Sequence, residues 1–424
     1  MAKNARDTRP KVKPVTQIEL SEKNTTWRFV LLIVLLVIAA ISFTIFLFSL
    51  FSKEDGWRTI SPDTEQGSYN GEIALQYDLG KGKENATAEY KKLAALYGNA
   101  LDTAYKSLTV SQSFVGFVNL RAVSDSINEE LRVSPLLYSA LKTMVQNGDR
   151  MLYMAPVYSL YANVFDSADD VIAAKLDPNK NGEFFADVTA ALEFINDPRH
   201  IDLELLDDDT CTLRLKVSEE YEAFLSEGAF DTKITLGVFE LAFVVDYVGE
   251  VLAAEGYTRG IVTSYDGFTR SLGMDDESVS ANVLDISEKR QLLTVGRINY
   301  TGELSSVQFR NFPIVDLDLL RFYTYEDGRT VSNWINPLTG KNANVIPTMS
   351  FYSKEKSCAQ LALMCYGLYV SDVLDGGEIN DLTARGIYTV YALDKTVFFN
   401  DERLKSDDNL EILLQGYNRA YLFE

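Results

Sequence analysis

The sequence predicts an α+β protein: one large domain of mixed and antiparallel sheets with interspersed helices, preceded by one N-terminal transmembrane helix. Three observations support this prediction. The 424 residues are 46% hydrophobic and 12% aromatic, which is enough apolar material for a large core. Segments with the apolar period of a strand are mixed along the chain with segments of helical period. Residues 29–51 form an uncharged apolar run long enough to cross a bilayer.

The first 68 residues are predicted to anchor the protein. Residues 1–28 are a basic tail with seven Lys or Arg against three Asp or Glu, a balance of +4. Because positive charge stays on the cytoplasmic side, this predicts a cytoplasmic tail, a signal anchor at 29–51 and an extracytoplasmic remainder. The run is longer than that of a cleaved signal peptide, and no small-residue cleavage pattern follows it. We expect a single-pass cell-membrane protein with a polar linker at 52–68 and one domain at 69–424.

The net charge of the chain limits the kinds of partner it is expected to bind. The whole chain carries −21, so the part that follows the +4 tail carries −25. Such an acidic surface argues against nucleic acid or anionic lipid as a ligand of the exported part. The expected partners are the membrane, through the helix itself, and an exported or membrane protein. The cysteines are expected as buried thiols, since two of them lie about 10 Å apart along one predicted helix. These residues are Cys211, Cys358 and Cys365.

The first half of the predicted domain alternates between strands and helices. "GEIALQYDL" has strand alternation, and residues 86–108 have helical spacing. Ser134 and Pro135 form a helix cap and first turn. Residues 170–196 are predicted mostly helical with a break at "DPNKNGE". "IDLELLDDDTCTLRLKV" predicts a hairpin around an aspartate-rich turn.

The second half is richer in strands. "ITLGVFELAFVVDYVGEVLAAEGYTRGIVTSY" predicts a long helix that ends near Gly256, followed by a strand. Residues 281–300 and 307–330 are predicted strand-rich. "SKEKSCAQLALMCYGLYVSDV" predicts a helix, and "GIYTVYALDKTVFFND" a terminal hairpin. Four tyrosines of this half are expected to pack in the core and its strands rather than to stack on a bound ligand. They are Tyr352, Tyr366, Tyr369 and Tyr388.

Familiar catalytic motifs do not occur in the sequence. The single histidine, His200, is expected at a turn, and there is no GxSxG, P-loop, HExxH or CxxC. The run Asp207–Asp209 is expected to be a solvated turn, since its spacing is not that of a calcium loop. "DPNKNGEF" begins with calcium-loop spacing, but Val188 stands where the closing glutamate belongs. It is interpreted as an interhelical loop, with a weak cation site left open.

Five blocks in order resemble the ApbE family, the FAD:protein FMN transferases, from about Tyr69 to Asp401. The clearest block begins "ITLGVFELAFVVD" and is similar to the family's "LGGIAKGYAxD", with Leu236, Gly237, Phe243 and Asp246 kept. "VSPLLYSALKTM" resembles "VSPEL..LL..A", and the helix and hairpin before residue 218 also match. "NWINPLTGK" resembles "HIIDPxTG", and "SCAQLALMCYGL" resembles "ADALxTALFxLG".

The resemblance implies a fold, an activity and a set of ligands. Family members bind FAD in a cleft, hold Mg²⁺ on its pyrophosphate and transfer FMN to a threonine of an exported protein. In such phosphoryl transfer, metal and positioned dipoles carry most of the catalysis. The cofactor implied is FAD or FMN. The positions that would contact it are Gly237, Tyr265, Asp266, Gly267, Asn333, Trp334, Thr339 and Gly340.

This sequence departs from the family where the family's chemistry lies. Leu241 stands at the lysine position, and Asn333 and Asn336 replace the histidine and aspartate of "HIIDP". Gln360 and Met364 stand at the metal acid and metal hydroxyl, although an amide is a weak magnesium ligand and a thioether is none. No catalytic or metal residue is therefore assigned at these degenerate positions.

Three hypotheses follow. In the first, the chain is a membrane-anchored, extracytoplasmic ApbE-like pseudoenzyme that binds a flavin, a nucleotide or a partner protein without transferring FMN. In the second, it is an active, divergent, Mg²⁺-dependent FAD:protein FMN transferase that uses Asp266 or Asp372 as a metal ligand. In the third, it is itself a flavinylated carrier, which is disfavoured because "SEGAFD", its nearest run, lacks the acceptor motif.

Overall fold

The computed structural model describes residues 54–64, 69–82, 85–148, 150–274, 278–342 and 346–423. The predicted tail (1–28) and transmembrane helix (29–51) lie outside these residues. Across the described part of the chain, no helix is both long and apolar enough to cross a membrane. Residues 54–424 form one compact unit of helices and sheets, as the α+β prediction requires.

Ten α-helices occur within the described ranges. They are α1 (Ala86–Leu108), α2 (Leu120–Asp125), α3 (Pro135–Asn147), α4 (Ala155–Phe165), α5 (Asp170–Leu176), α6 (Gly182–Ile195), α7 (Glu219–Glu227), α8 (Glu240–Ala254), α9 (Cys358–Tyr369) and α10 (Gly376–Ala384). Several begin where a side chain accepts from the first free backbone N–H groups. Asn85 accepts from Ala88 N–H at 2.9 Å at the start of α1. Ser134 caps α3 with Pro135 in its first turn, as predicted.

Seventeen strands are described, and nine of them form the central sheet. They are β1 (Gly56–Ile60), β2 (Ile73–Leu79), β3 (Glu130–Arg132), β4 (Ile201–Asp207), β5 (Thr212–Val217), β6 (Gly260–Ser264), β7 (Phe268–Ser271), β8 (Ser278–Ile286), β9 (Leu292–Thr301), β10 (Leu304–Arg310), β11 (Phe322–Thr324), β12 (Thr330–Ser332), β13 (Thr348–Ser353), β14 (Tyr388–Leu393), β15 (Thr396–Phe399), β16 (Leu410–Ile412) and β17 (Asn418–Tyr421). The central order is β1-β2-β6-β7-β10-β13-β14-β15-β17. Every pair is antiparallel except β15–β17, so the sheet is mixed, as predicted.

Smaller sheets complete the fold. β16-β9-β8, β3-β5-β4 and β11-β12 each form a separate sheet. The hairpin predicted around the aspartate-rich turn is β4–β5, in the register Ile201↔Val217. The predicted interruption within residues 170–196 separates α5 from α6. These local predictions are confirmed.

The core lies between the central sheet and helices α1, α8 and α9; α8 contacts both α1 and α9, and all three contact strands of the sheet. Leu101, Val245 and Phe268 have no exposed surface in this layer. A second apolar cluster joins the β8–β9 hairpin to β14, with Val283 and Val390 among its members. The domain is therefore layered, with its largest core on the helical side of the sheet.

Some predictions need correction. The interval 52–68 is not only a linker, because β1 lies within it and pairs with β2 from Gly56↔Leu79 to Ile60↔Leu75. The predicted domain start near residue 69 is too late for the same reason. Residues 307–330 are strand only in part. The predicted terminal hairpin, β14–β15, is followed by two further strands.

The three cysteines and the four tyrosines differ in how deeply they are buried. Cys358 and Cys365 are buried free thiols, as predicted, whereas Cys211 is only half-buried. Tyr366 and Tyr369 pack in the large core, which confirms their expected role. Of the remaining two, Tyr352 belongs to the second cluster and the partly buried Tyr388 packs against it, with ring centres 5.5 Å apart and ring planes tilted by 31°.

Candidate functional site

Several predicted site residues converge on an arginine that sequence reasoning did not select. Arg321 Nη1 donates to Asp266 Oδ2 at 2.6 Å. The same guanidinium lies 5.2 Å from the centre of the Tyr265 ring. The backbone N–H of Asn333 donates to the Arg321 carbonyl at 3.1 Å. Two positions implied by the family resemblance, Tyr265 and Asp266, therefore face the Arg321 guanidinium, and a third, Asn333, contacts the Arg321 backbone.

Acidic residues from two further elements complete this group. The Tyr69 hydroxyl donates to Glu240 Oε1 at the first residue of α8. Glu72 lies close enough to interact with the charges of both Arg321 and Asp266. We call this group the arginine cluster. Its members are Tyr69, Glu72, Glu240, Tyr265, Asp266 and Arg321.

Burial and unequal charge set the protonation of the arginine cluster. Burial raises the pKa of Glu240 to about 7, although the Tyr69 hydrogen bond and Arg321 oppose the rise. Burial also raises the pKa of Glu72. For Arg321, burial disfavours the charged form, yet the neighbouring Asp266 outweighs it and the pKa is raised. Three acids share one cation, so this region holds a proton near neutral pH rather than attracting an anion.

A cavity of about 290 Å³ lies beside the cluster and is lined in part by Tyr158, Gly237 and Asn333. Gly237 has φ +56°, and a Cβ there would come within 2.7 Å of the Tyr158 ring. The family resemblance implies that a nucleotide would lie close to the Gly237 backbone. Here the Tyr158 ring of α4 occupies that place. Asn333 Oδ1 is buried without a hydrogen-bond partner. At Gly267 the close neighbour is again protein, because a Cβ would lie 2.4 Å from the Gln308 carbonyl oxygen.

Asp246 joins α8 to the start of α9. Its two carboxylate oxygens accept from the backbone N–H groups of Cys358 and Ala359 at 2.8 and 2.9 Å. These are free donors at a helix N-terminus, where negative charge is favoured. Burial nevertheless raises the pKa of Asp246, with those two N–H groups opposing the rise. This residue, which keeps the family pattern, therefore positions α9.

The degenerate positions serve the fold. Leu241 is 1% exposed and belongs to the large core. Gln360 closes a capping box with Ser357 at the start of α9, with bonds of 3.3 Å in both directions. Met364 is half-buried and packs against the same core. None of these three side chains offers a free hard oxygen or a cation to a ligand.

The loop "NWINPLTGK" is held by a side chain of its own and by packing against a helix. Asn336 Oδ1 accepts from the N–H groups of Leu338 and Thr339 at 2.9 and 3.1 Å. Gly340, at φ +67°, packs against α6, where a Cβ would meet Val188 at 2.5 Å. Thr339 is exposed and outside the arginine cluster. The loop therefore has the turn geometry that the sequence predicted.

Trp334 differs from its predicted role as a cofactor contact. Its indole is buried in the core and donates to the Arg310 carbonyl at 2.7 Å. The Phe309 ring packs edge-on against it at 5.2 Å. A side chain enclosed in this way has no face left for a flavin, so the structure makes Trp334 a core residue.

The described residues contain no cluster of side chains suited to a metal centre. No group of three or more His, Cys, Asp or Glu within them could hold a metal ion. Asp266 is paired with Arg321, and Asp372 is an exposed residue after α9. The Asp177 carboxylate, at the start of the calcium-like loop, already accepts from the Tyr325 hydroxyl at 3.0 Å.

The remaining polar candidates are structural. His200 lies in a turn, as predicted, with Nδ1 2.8 Å from Ser218 Oγ. The run Asp207–Asp209 forms the β4–β5 turn, and Asp208 also pairs with Lys142 of α3 at 2.6 Å. The run "SEGAFD" begins with the last two residues of α7 and continues past its end. These contacts show turn and capping roles.

Sequence reasoning missed most of the arginine cluster. The only local signal was Glu240, a lone acid in the apolar run "GVFELAFVV". A charged side chain in a buried helix segment needs a partner, so this position could have been flagged. Arg321 and Glu72 carry no such signal, because they meet Asp266 only in the folded chain.

Comparisons with known proteins agree with this architecture. No protein-family model matches the sequence, and no curated protein matches it. Among solved structures, the ApbE protein of Thermotoga maritima is 14% identical, with a TM-score of 0.52 over 79% of this chain and 93% of that chain. The flavin transferase ApbE from Vibrio cholerae is 15% identical, also with a TM-score of 0.52, over 80% of this chain and 95% of that one. A single-residue variant of the Vibrio protein matches with the same identity and score over 83% and 99%. This chain therefore has an ApbE-like α+β fold.

Proposed function

We propose that this chain is a membrane-anchored, extracytoplasmic ApbE-like protein that does not transfer FMN and acts by binding a partner protein. One observation carries the proposal. The positions that the resemblance marks for the lysine and the metal ligands hold Leu241, Gln360 and Met364, which serve core packing and helix capping. A site without its cation and its hard ligands lacks the groups on which phosphoryl transfer depends.

The residues present do not fit magnesium or the pyrophosphate of FAD. Magnesium prefers hard oxygen ligands, usually including carboxylate, and the acid nearest the predicted site, Asp266, is paired with Arg321. The acids of the arginine cluster outnumber its one cation, which disfavours an anionic ligand. The Tyr158 ring fills the approach to the Gly237 backbone. Of the binding roles expected from the sequence, these contacts favour a protein partner over a flavin.

Anchoring and location rest on the sequence. The uncharged run at 29–51 and the +4 tail before it support a single-pass anchor with the domain outside the cytoplasm. A reporter fused after residue 424 tests this: an enzyme that is active only after export should be active there. A fluorescent protein that matures only in the cytoplasm should be dark at the same position, and the reverse pattern would place the domain inside.

The loss of transferase chemistry is tested directly. The purified full chain is incubated with FAD, Mg²⁺ and an exported acceptor protein that carries the target threonine, with the Vibrio cholerae flavin transferase as positive control. We expect covalent flavin fluorescence on the acceptor only in the control. Labelling by this chain would overturn the proposal. If that labelling then disappeared in Asp266→Asn, the active and divergent transferase would be the better description.

A further inference from the structure

The segment between β10 and β11 exposes an unusual run of apolar side chains. Five large apolar residues within seven positions are 37% to 68% exposed. We call them the apolar ledge: Ile314, Val315, Leu317, Leu319 and Leu320. Scattered apolar residues are normal on a protein surface, but a contiguous exposed group marks an interaction site.

The ledge is held rigid by a buried ion pair. Asp318 Oδ2 accepts from the N–H groups of Ile314 and Val315 at 2.6 and 2.9 Å. Asp318 Oδ1 accepts from Arg310 Nη2 at 2.8 Å, and the two side chains are only 1% and 3% exposed. Arg310 also donates to the carbonyl of Tyr265, which ties the ledge to the arginine cluster. A surface fixed in this way loses little conformational entropy when a partner binds.

Acidic groups lie within the ledge and on the segment that follows it. Asp316 is exposed within it. β11, which follows the ledge, reaches Asp170 through the Tyr323 hydroxyl at 2.9 Å. Just beyond β11, the backbone N–H of Glu326 donates to the other oxygen of Asp170, also at 2.9 Å, and Glu326 itself is exposed. Asp316 and Glu326 are thus exposed acids within the ledge and on the turn after β11.

Two bases of this segment and its neighbourhood have partners of their own. Arg329 pairs with Asp327 at 2.6 Å. Lys180 Nζ lies 3.1 Å above the centre of the Tyr325 ring. Neither base neutralises Asp316 or Glu326 in the contacts described. An apolar surface that carries exposed acids is complementary to an apolar face flanked by positive charge.

We propose that the apolar ledge docks a basic amphipathic segment of another exported or membrane protein. Leucine or isoleucine side chains of that segment cover the ledge, and its lysines or arginines pair with Asp316 and Glu326. The inference rests on the proposed partner-binding function and names the surface and the chemistry of the partner. It fits the strongly acidic exported part of the chain, which carries −25 once the +4 tail is subtracted from −21.

The test uses the full chain in nanodiscs of uncharged lipid, with empty nanodiscs as the blank. The probe is a synthetic leucine–lysine peptide of about 14 residues, roughly four turns of amphipathic helix. One matched peptide replaces lysine by glutamate, and another replaces leucine by serine. Fluorescence anisotropy should show binding of the leucine–lysine peptide only. The affinity should fall with added salt, because the flanking charges are exposed.

Variants locate the binding surface. Leu319→Ser with Leu320→Ser should weaken binding by about tenfold or more, because central apolar contacts dominate such interfaces. Val115→Ser with Val373→Ser, two exposed apolar residues away from the ledge, should leave it unchanged. An independent second variant, Glu326→Gln with Asp316→Asn, should lower the affinity at low salt and reduce its salt dependence. Equal urea midpoints for all variants confirm that they are folded.

Three results would overturn the inference. Equal binding of the leucine–lysine peptide to the ledge variant would place its site elsewhere. Equal binding of the serine–lysine peptide would mean that charge alone is recognised. A dimer in sedimentation that the leucine variant converts to a monomer would mean that a second copy covers the ledge. The transferase assay is independent of these measurements, so failure of the docking surface and failure of the proposed function can be told apart.

Discussion

Glu240 should make the stability of the folded domain depend on pH. Burial raises its pKa from 4.5 to about 7. Because one pKa unit corresponds to about 1.4 kcal/mol, the difference is worth about 3 kcal/mol. The folded state holds the proton more tightly than the unfolded state does. This stability is therefore fully present below pH 4.5 and is lost as the pH rises through about 7.

Glu240→Gln removes the titration and keeps an oxygen that can accept from Tyr69. Between pH 5 and pH 8, the free energy of unfolding of the wild type should fall by about 2 to 3 kcal/mol relative to this variant. The variant should keep a smaller slope of the same sign, because burial also raises the pKa of Glu72. Glu250→Gln, on the same helix with a side chain 66% exposed, is the matched control and should follow the wild type.

The measurement is urea unfolding of the full chain at several pH values, followed by tryptophan fluorescence. The difference between Glu240→Gln and the wild type should grow with pH. If that difference is constant from pH 5 to pH 8, the buried carboxyl does not take up a proton on folding. In that case the description of the arginine cluster as proton-holding is wrong.

Three further perturbations test packing and charge, all read from urea midpoints. Asp318→Ala leaves the buried Arg310 guanidinium without its ion-pair partner and should lower the free energy of unfolding by about 3 to 5 kcal/mol. Asp327→Ala, at an exposed ion pair, should change it little. Equal effects of the two variants would contradict the role of burial. Gly340→Ala should lower the free energy of unfolding by about 1 to 3 kcal/mol more than Gly416→Ala does. Both glycines have positive φ, but only Gly340 has a neighbour that a Cβ would meet. Similar losses for the two variants would refute this packing argument. Leu241→Lys should lower the midpoint and give no flavin labelling of an acceptor, since it buries a charge in the core; labelling would show that the lysine alone was missing.

Local patterns predicted the elements that carry their own signals. α1 begins and ends at the residues that its helical apolar spacing predicted. The β4–β5 hairpin follows from two alternating runs around a turn. β1 was missed because "GWRTI" is a short edge strand in a polar stretch, and its evidence is its pairing with β2. The placement of β10 between β7 and β13 joins segments far apart in the chain, and no local period encodes it.

The candidate site was predictable only where a family pattern marked it. Tyr265, Asp266 and Asn333 were selected by resemblance, and the structure places them around Arg321. The Arg321–Asp266 contact spans 55 positions and the Tyr69–Glu240 contact 171. Pairs so distant in sequence leave no trace in composition or periodicity, so their partners could not be named in advance.

The two asparagines of "NWINPLTGK" show why the shape of a loop can outlast its chemistry. The turn needs an oxygen acceptor at Asn336, and an amide oxygen supplies it to two backbone N–H groups as well as a carboxylate would. At Asn333, by contrast, the amide oxygen is buried without a partner. A residue retained for folding would be expected to satisfy its buried atoms, because an unpaired acceptor costs about 1 to 3 kcal/mol. Folding therefore explains Asn336 and leaves Asn333 unexplained, so any remaining function of the cleft is to be sought at Asn333 rather than at the turn.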